Sequence, residues 1–434
     1  MTTATEIGAG YLASLPASAP FVEALRRKAM EEFLALPTPS QDTEEWRYTD
    51  LSELAFAFEP YAPGVVAANL DEVSEEILLA AAVVGERAGL QIQHNGTVAL
   101  TNLDPDLVAK GVVFGDLERA ALEHPELVEP HLHSLVPTRR TKFSALHGAL
   151  RTGGTFLYVP PGVAIEVPLQ TFTWLDAEGA AVFPHTLIVA GEDSELTFID
   201  RYSSPPLNGF SDAVVEIVAG PASRVRYVSI QEWGEGVTHL GIQHARLERD
   251  SELRSLAVGF GASLARAEAE TVLAEQGASS EMLGLFFADG SQHFDHRSEQ
   301  DHAAPNGTSD LLYKGALRDE SRAVYSGWVH VRPGAQRTEA MQTNRNIVLS
   351  ENAKADSIPN LEIEANDVKC GHAASVGPVE AETLFYLMSR GIPEKEAERL
   401  IVFGFFQEVL DRVTLDEVRD QVSAAIEAEL SRGR

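Results

Sequence analysis

Between residues 190 and 360 the chain repeats itself, and the length of the repeat limits the folds open to it. Triplets of a small, a charged and an apolar residue follow turn-like residues at Ser194-Glu-Leu196, Ser223-Arg-Val225, Ser251-Glu-Leu253 and Ser280-Glu-Met282, spaced 29, 28 and 29 residues apart. Two more, Ser321-Arg-Ala323 and Ala353-Lys-Ala355, come after gaps of 41 and 32 residues. The longer gap is expected to hold a polar, loop-like insertion around His293 to Asn306. An earlier copy, Val163-Ala-Ile165, follows the turn Pro160-Pro-Gly162. Each period carries a pair of short alternating apolar runs, such as Leu196-Thr-Phe-Ile199 and Ala213-Val-Val-Glu-Ile-Val218. Short strands at a fixed period, with no helical period between residues 150 and 368, predict a β-solenoid in which each coil buries its apolar face on the next. A β-sandwich would supply similar strands but has no reason to keep that period.

The two ends read as helical. Phe21, Val22, Leu25, Met30, Phe33 and Leu34 recur at helical spacing from Pro20 to Leu36, and Pro37-Thr-Pro39 stops the helix. A short helix is expected from Val73 to Gly85. Beyond the repeat, Val379 to Arg390 predicts a helix ended by Gly391, and Pro393 suits the first turn of the next, which runs to Val413. Thr414 and Glu417 form a capping-box pattern for a third. Leu400, Phe403, Phe405 and Phe406 form a run too dense in large apolar side chains for an exposed helix, and are expected in the core or on a face that docks another protein.

Charge and composition exclude several classes. A formal net charge of -31 opposes nucleic-acid binding, which relies on clustered Lys and Arg, and opposes an anionic membrane surface equally. Neither a secretory leader at the start nor a membrane-length apolar run is seen. Hydrophobic content of 44% rules out a mainly disordered chain. The single cysteine excludes an internal disulfide, which fits a cytoplasmic location. Phosphate-loop, nucleophile-elbow and zinc-protease motifs are missing, so no enzymatic activity is expected.

Cys370 and His372 stand two residues apart in Asn366-Asp-Val-Lys-Cys-Gly-His-Ala-Ala-Ser-Val-Gly377, where strand-like sequence gives way to helix-like sequence. A thiolate and an imidazole suit iron, zinc or iron–sulfur clusters, so the pair is half of a metal site that a partner would complete. The competing reading is a small buried hydrophobe beside a hydrogen-bonded histidine. His293-Phe-Asp-His296 and His302 form a second cluster of metal-ligand types, expected to order the insertion that holds them.

Asp367-Val-Lys-Cys-Gly-His372, with Ile358-Pro-Asn-Leu-Glu-Ile363 before it and Leu384-Phe-Tyr-Leu-Met-Ser-Arg-Gly-Ile392 after it, resembles the C-terminal signature of the SufD family, scaffold subunits of the Suf iron–sulfur cluster assembly system. The likeness extends through Asn344-Arg-Asn-Ile-Val-Leu-Ser350, Gln292-His-Phe-Asp295 and Gly154-Thr-Phe-Leu-Tyr-Val-Pro-Pro-Gly-Val163 to Glu45-Trp-Arg-Tyr-Thr49, nearly the whole chain. Gly371 and Ala373 depart from the Ser and Gly that are common in the family.

The resemblance implies a mainly β fold: a right-handed parallel β-helix over 91–370, between an N-terminal helical region (1–90) and a C-terminal helical domain (371–434) that docks an ATPase. It implies a SufB-like paralogue and a SufC-like ATPase as partners, and a transient iron–sulfur cluster at the paralogue interface with His372, and with it Cys370, as ligands. Leu400, Phe403, Phe405 and Phe406 would bind the ATPase. The single cysteine favours the D-type over the B-type paralogue, and an unpaired solenoid edge would permit a homodimer when the partner is absent. The alternatives are an architectural solenoid that recruits the ATPase without ligating a cluster, and a polysaccharide-cleaving β-helix, which the acidity and missing leader oppose.

Overall fold

Successive strands of the chain alternate between two ten-stranded sheets, so that each strand pairs in parallel with the one a full coil later. The first sheet stacks Glu195–Ser203, Arg224–Glu232, Glu252–Gly259, Ser279–Ala288, Thr308–Leu317, Thr338–Val348 and Val368–Pro378 in that order. The second stacks His185–Ala190, Gly209–Ala219, Val237–Leu247, Leu264–Leu273, His293–His302, Arg322–Val331 and Lys354–Ile363. This is a β-solenoid of about eight coils with helices at both termini, seen in a computed structural model that describes residues 5–432 apart from 53, 55, 59–63, 65 and 82–85. An antiparallel hairpin, Gly89–His94 with Thr97–Leu103, closes the N-terminal end of the first sheet. No helix among the described residues is long and apolar enough to cross a membrane.

The serine of the repeat closes a corner. Before it the backbone turns through a left-handed residue, Asp193 (φ 54°), Ala222 (φ 55°) or Asp250 (φ 58°). The buried hydroxyls of Ser194, Ser223 and Ser251 then donate to the carbonyls of Gly191, Gly220 and Glu248 at 2.7–2.8 Å. The next residues enter the strand, where Leu196 pairs with Val225 and Val225 with Leu253. Ser280-Glu-Met282 sits two residues late, since Leu253 pairs with Ser280. The last two triplets belong to the other sheet, beginning Arg322–Val331 and Lys354–Ile363. The gap of 41 is therefore a step from one sheet to the other, and the expected insertion does not exist: His293–His302 and Thr308–Leu317 are regular strands. Polar strand faces look like loop when both sheets share one spacing. The earlier copy does stack in place, Ala164 bridging to Glu195.

Leu157, Ile188, Phe198, Ile217, Tyr227, Leu247 and Leu253 fill the lumen of the early coils. Terminal segments cover the outer faces. Helix Pro20–Ala35, helix Lys142–Leu150 and Trp46 pack on Phe183, Phe210 and Leu240 of the second sheet. The chain then doubles back, and helices Glu394–Leu410 and Asp416–Arg432 lay Val402, Phe406, Val409, Val418, Val422 and Ile426 on Ile199, Val228, Leu256, Leu283 and Leu312 of the first sheet. Strands covered on both sides are buried along their length, as Ala213 to Ile217 is, its one polar residue Glu216 included. Lys314, almost fully buried, pins this packing by donating to the Phe405 carbonyl at 2.8 Å and pairing with Glu408 at 2.6 Å.

The expected helices occur at Pro20–Ala35, Glu75–Ala81, Ala381–Ser389, Glu394–Leu410 and Asp416–Arg432. The tail of the expected helix to Gly85, residues 82–85, lies outside the described residues. No helix stands between Leu150 and Ala381.

The corner hydroxyl is worth one hydrogen bond. Ser223→Ala is expected to lower the unfolding free energy by about 1 kcal/mol in a urea titration, and a loss below a few tenths would show that the corner holds without it.

Candidate metal and partner site at the open end of the solenoid

Among the described residues Val368–Pro378 pairs only with Thr338–Val348, and Lys354–Ile363 only with Arg322–Val331, so the solenoid ends in two strands that each leave one backbone edge unpaired there. Such an edge is a template for another chain. Pro359 lies within Lys354–Ile363 and cannot donate to a ladder, which restricts that strand to an edge. The end is also apolar: Trp328, Met341, Ile363 and Val376 are 43%, 50%, 42% and 43% exposed.

Cys370 and His372 belong to the terminal strand itself rather than to the junction with the helices, which start at Ala381. Their register partners are Ala340 and Gln342. Both partners are buried, while Glu339, Met341 and Arg345 between and beyond them are exposed, so alternation turns Cys370 and His372 toward the lumen. Cys370 is half-buried against Val329, Val331, Ala335, Ala340 and Ala365; His372 is exposed. Burial raises the Cys370 thiol, and a hydrogen bond from the Ala340 backbone acts against it. The thiol is thus protonated at neutral pH, and a metal must displace that proton to bind sulfur.

Beneath the two side chains the lumen becomes polar. The Gln342 amide, beside His372 in register, is buried with neither atom hydrogen-bonded, and the Gln300 amide is the same. Asn346 donates to Asn344 at 2.9 Å, and the hydroxyls of Ser298 and Tyr325 meet at 2.7 Å. Gly327 makes this chamber possible, because a Cβ there would stand 2.4 Å from both the Gln342 amide nitrogen and the Tyr325 hydroxyl. Unpaired amides cost stability where they stand, and their position below the open end makes them donors and acceptors for whatever covers it.

The other candidates separate. His293 and His296 point to opposite faces of one strand: Thr49, 3.5 Å from His293, packs on the outer face, whereas His296 stacks on Phe286 in the lumen with centroids 4.8 Å apart. His302 bonds Ser309 at 2.9 Å. His293 is on the opposite face from His296, and His302, on the same face as His296, stands six residues or about 20 Å further along the strand, so these three do not form a metal site. Of the apolar run, Phe406 is fully buried under the first sheet, Phe403 and Phe405 are partly buried there, and Leu400 is 41% exposed. The larger apolar surface lies on Ala381–Ser389, a helix with no buried residue that exposes Phe385, Tyr386 and Met388 by 73%, 54% and 41%. Its sequence looks like any amphipathic helix, and only the missing neighbour marks it. Another group absent from the sequence reading is His133, His147 and His185, three buried histidines from separate elements. Their wide spacing matches no motif.

Residues 173–405 match the family described as SUF system FeS cluster assembly, SufBD core domain, and residues 15–171 match the SufBD protein N-terminal region. The chain is 32% identical to the iron–sulfur cluster assembly protein SufD of Bacillus subtilis over 93% of its own length and 92% of the relative. Identity is 30% to SufB of the same organism, over 88% and 83%. A SufBD family protein of Staphylococcus saprophyticus is 32% identical over the same two shares, 88% and 83%.

The unpaired amide under His372 should be separable from the fold. Gln342→Leu is expected to stabilise the isolated chain by about 1 kcal/mol in urea unfolding, and a destabilised variant would mean that the amide is satisfied.

Proposed function

Because the chain belongs to the SufBD family of SUF iron–sulfur cluster assembly proteins, we propose that it is a non-catalytic, D-type scaffold that holds part of a nascent cluster at the open end of its solenoid. In this reading a SufB-like paralogue pairs with the free edge, and Cys370 and His372 contribute ligands to the cluster as cargo. A SufC-like ATPase docks on the C-terminal helices, which begin at Ala381. The observation that carries the proposal is the coincidence of three features in one terminal strand: an unpaired backbone edge, two soft or borderline ligands two residues apart, and exposed apolar neighbours.

The chemistry agrees. Cys370 and His372 supply two of the ligands that a cluster needs, so the remainder must come across the interface, and assembly waits on the partner. One cysteine in the chain favours the D-type role, with the sulfur-accepting thiol on the paralogue. The ATPase has a physical route to the site. Its docking face would be Ala381–Ser389 with Leu400, and the next helix is bound to the solenoid through Lys314 to Phe405 and Glu408, and through Arg412 to Asp310 at 2.6 Å. A pull on those helices is therefore felt by the first sheet, whose last strand carries Cys370 and His372.

Co-expression with a SufB-like and a SufC-like partner under anaerobic conditions tests the ligand role. Iron and sulfide in the purified complex should fall about tenfold or more in His372→Ala while the subunits stay together. An unchanged cluster would leave the chain as an architectural partner. The docking face is tested by Phe385→Glu with Tyr386→Glu, which should abolish co-purification of the ATPase while the circular dichroism spectrum and melting temperature stay unchanged. Retention of the ATPase would move docking elsewhere.

A further inference from the structure

His133, His147 and His185 meet at the seam between the N-terminal region and the solenoid, and all three are buried. They come from a loop, a helix and a strand: His133 is held in a left-handed conformation (φ 55°), His147 lies in Lys142–Leu150, and His185 opens His185–Ala190. Their ring centroids are 5.6, 5.0 and 5.2 Å apart. Three imidazoles bound to one tetrahedral ion at the usual zinc–nitrogen bond length would have centroids about 5 Å apart. The side chains are thus already arranged as a ligand set.

Hydrogen bonds fix which nitrogens face inward. His133 Nδ1 lies 2.9 Å from the Val136 carbonyl, and His147 Nδ1 lies 2.8 Å from the Asp212 carbonyl. A carbonyl only accepts, so both Nδ1 atoms carry protons and both Nε2 atoms carry lone pairs. His185 Nε2 lies 3.1 Å from Glu216 Oε2. Glu216 also accepts the backbone N–H groups of His133, Leu135 and Val136 at 2.7, 2.7 and 3.0 Å, a set of donors suited to a carboxylate. Against a carboxylate His185 Nε2 donates, which leaves a lone pair on Nδ1. That lone pair then faces the lone pair of His147 Nε2 at 3.1 Å, while His133 Nε2 is buried with no partner. Two facing acceptors and one orphan are an arrangement that a cation between them would satisfy.

We propose that His133 Nε2, His147 Nε2 and His185 Nδ1 bind a structural zinc ion, or a closely similar first-row dication, that fastens the N-terminal region to the solenoid. The outer hydrogen bonds are those of a metal-bound histidine: each ring gives its other N–H to a carbonyl or a carboxylate. Glu216 supplies negative charge beside the ion. Burial keeps the three imidazoles neutral, the form that ligates, with His133 lowered to about 4. Arg151, whose charge the cluster feels, is paired with Glu118 at 2.8 Å. The competing state is metal-free. Burial raises the Glu216 carboxyl, and a protonated Glu216 would donate to His185 Nε2, passing the hydrogen-bond chain on through His185 Nδ1 to His147 Nε2. In that state His133 Nε2 still has no partner.

The site is independent of the cluster reading, and its test is metal content. Full-length chain made without a histidine tag in zinc-supplemented medium should carry about one zinc per chain by mass spectrometry, and His133→Gln or His185→Gln should lower this about tenfold. A Cys370→Ala, His372→Ala double variant should retain the zinc. Cobalt added during refolding of metal-free wild type should give the visible absorption of cobalt held by three imidazole nitrogens. The proposal is overturned if wild type refolded in zinc or cobalt takes up neither ion, or if both histidine variants fold and keep their zinc.

Discussion

Parallel pairing between one coil and the next carries the whole structure, and its requirement that every backbone edge be matched makes the ends of the solenoid the informative places. Inside the stack each strand satisfies its neighbour on both sides, as in the column Arg224, Glu252, Ser279 and Thr308. The N-terminal end finishes in two antiparallel pairs, Gly89–His94 with Thr97–Leu103 and Val113–Asp116 with Thr155–Val159. The C-terminal end does not close, and its last strand is where the chain carries its one cysteine. An open edge and two ligand-type side chains coincide there. The proposed site is half a surface, formed by the same interaction that forms the fold.

Chain reversal after Pro378 matters nearly as much. Had the C-terminal helices continued along the solenoid axis they would have covered Cys370 and His372. Instead they run back over the first sheet, fastened by apolar contacts and by Lys314, and the end stays free. The polar lumen beneath it, with the Gln342 amide unsatisfied, shows a region whose stability was not maximised.

Much of this was legible in the sequence, for identifiable reasons. Ser194, Ser223, Ser251 and Ser321 mark real corners because each hydroxyl has one job, closing a turn onto a carbonyl three residues back. The repeat became unreadable after Ser280, where the register moves by two residues and the strands of the other sheet offer triplets of the same composition. His293 to His302 looked like loop because a strand with one face against the N-terminal region and the other in a polar lumen has no apolar alternation to display. Cys370 and His372 could be singled out because they stand two residues apart in the sequence. His133, His147 and His185 were not, because only the fold brings a loop, a helix and a strand to one point. The exposed face of Ala381–Ser389 was invisible for the opposite reason: amphipathic spacing states that a helix has an apolar side and leaves open what lies against it.

The C-terminal helices touch first-sheet strands from Ile199 to Leu312, and this changes how the molecule should come apart. A bare solenoid unzips from whichever end is weaker, coil by coil, because each coil knows only its neighbours. Here a strut spans several coils and welds them into one cooperative block. The coil of Lys354–Ile363 and Val368–Pro378 lies beyond the strut. It is free to fray alone, so the strand that carries Cys370 and His372 is also one that can open and re-form without disturbing the rest.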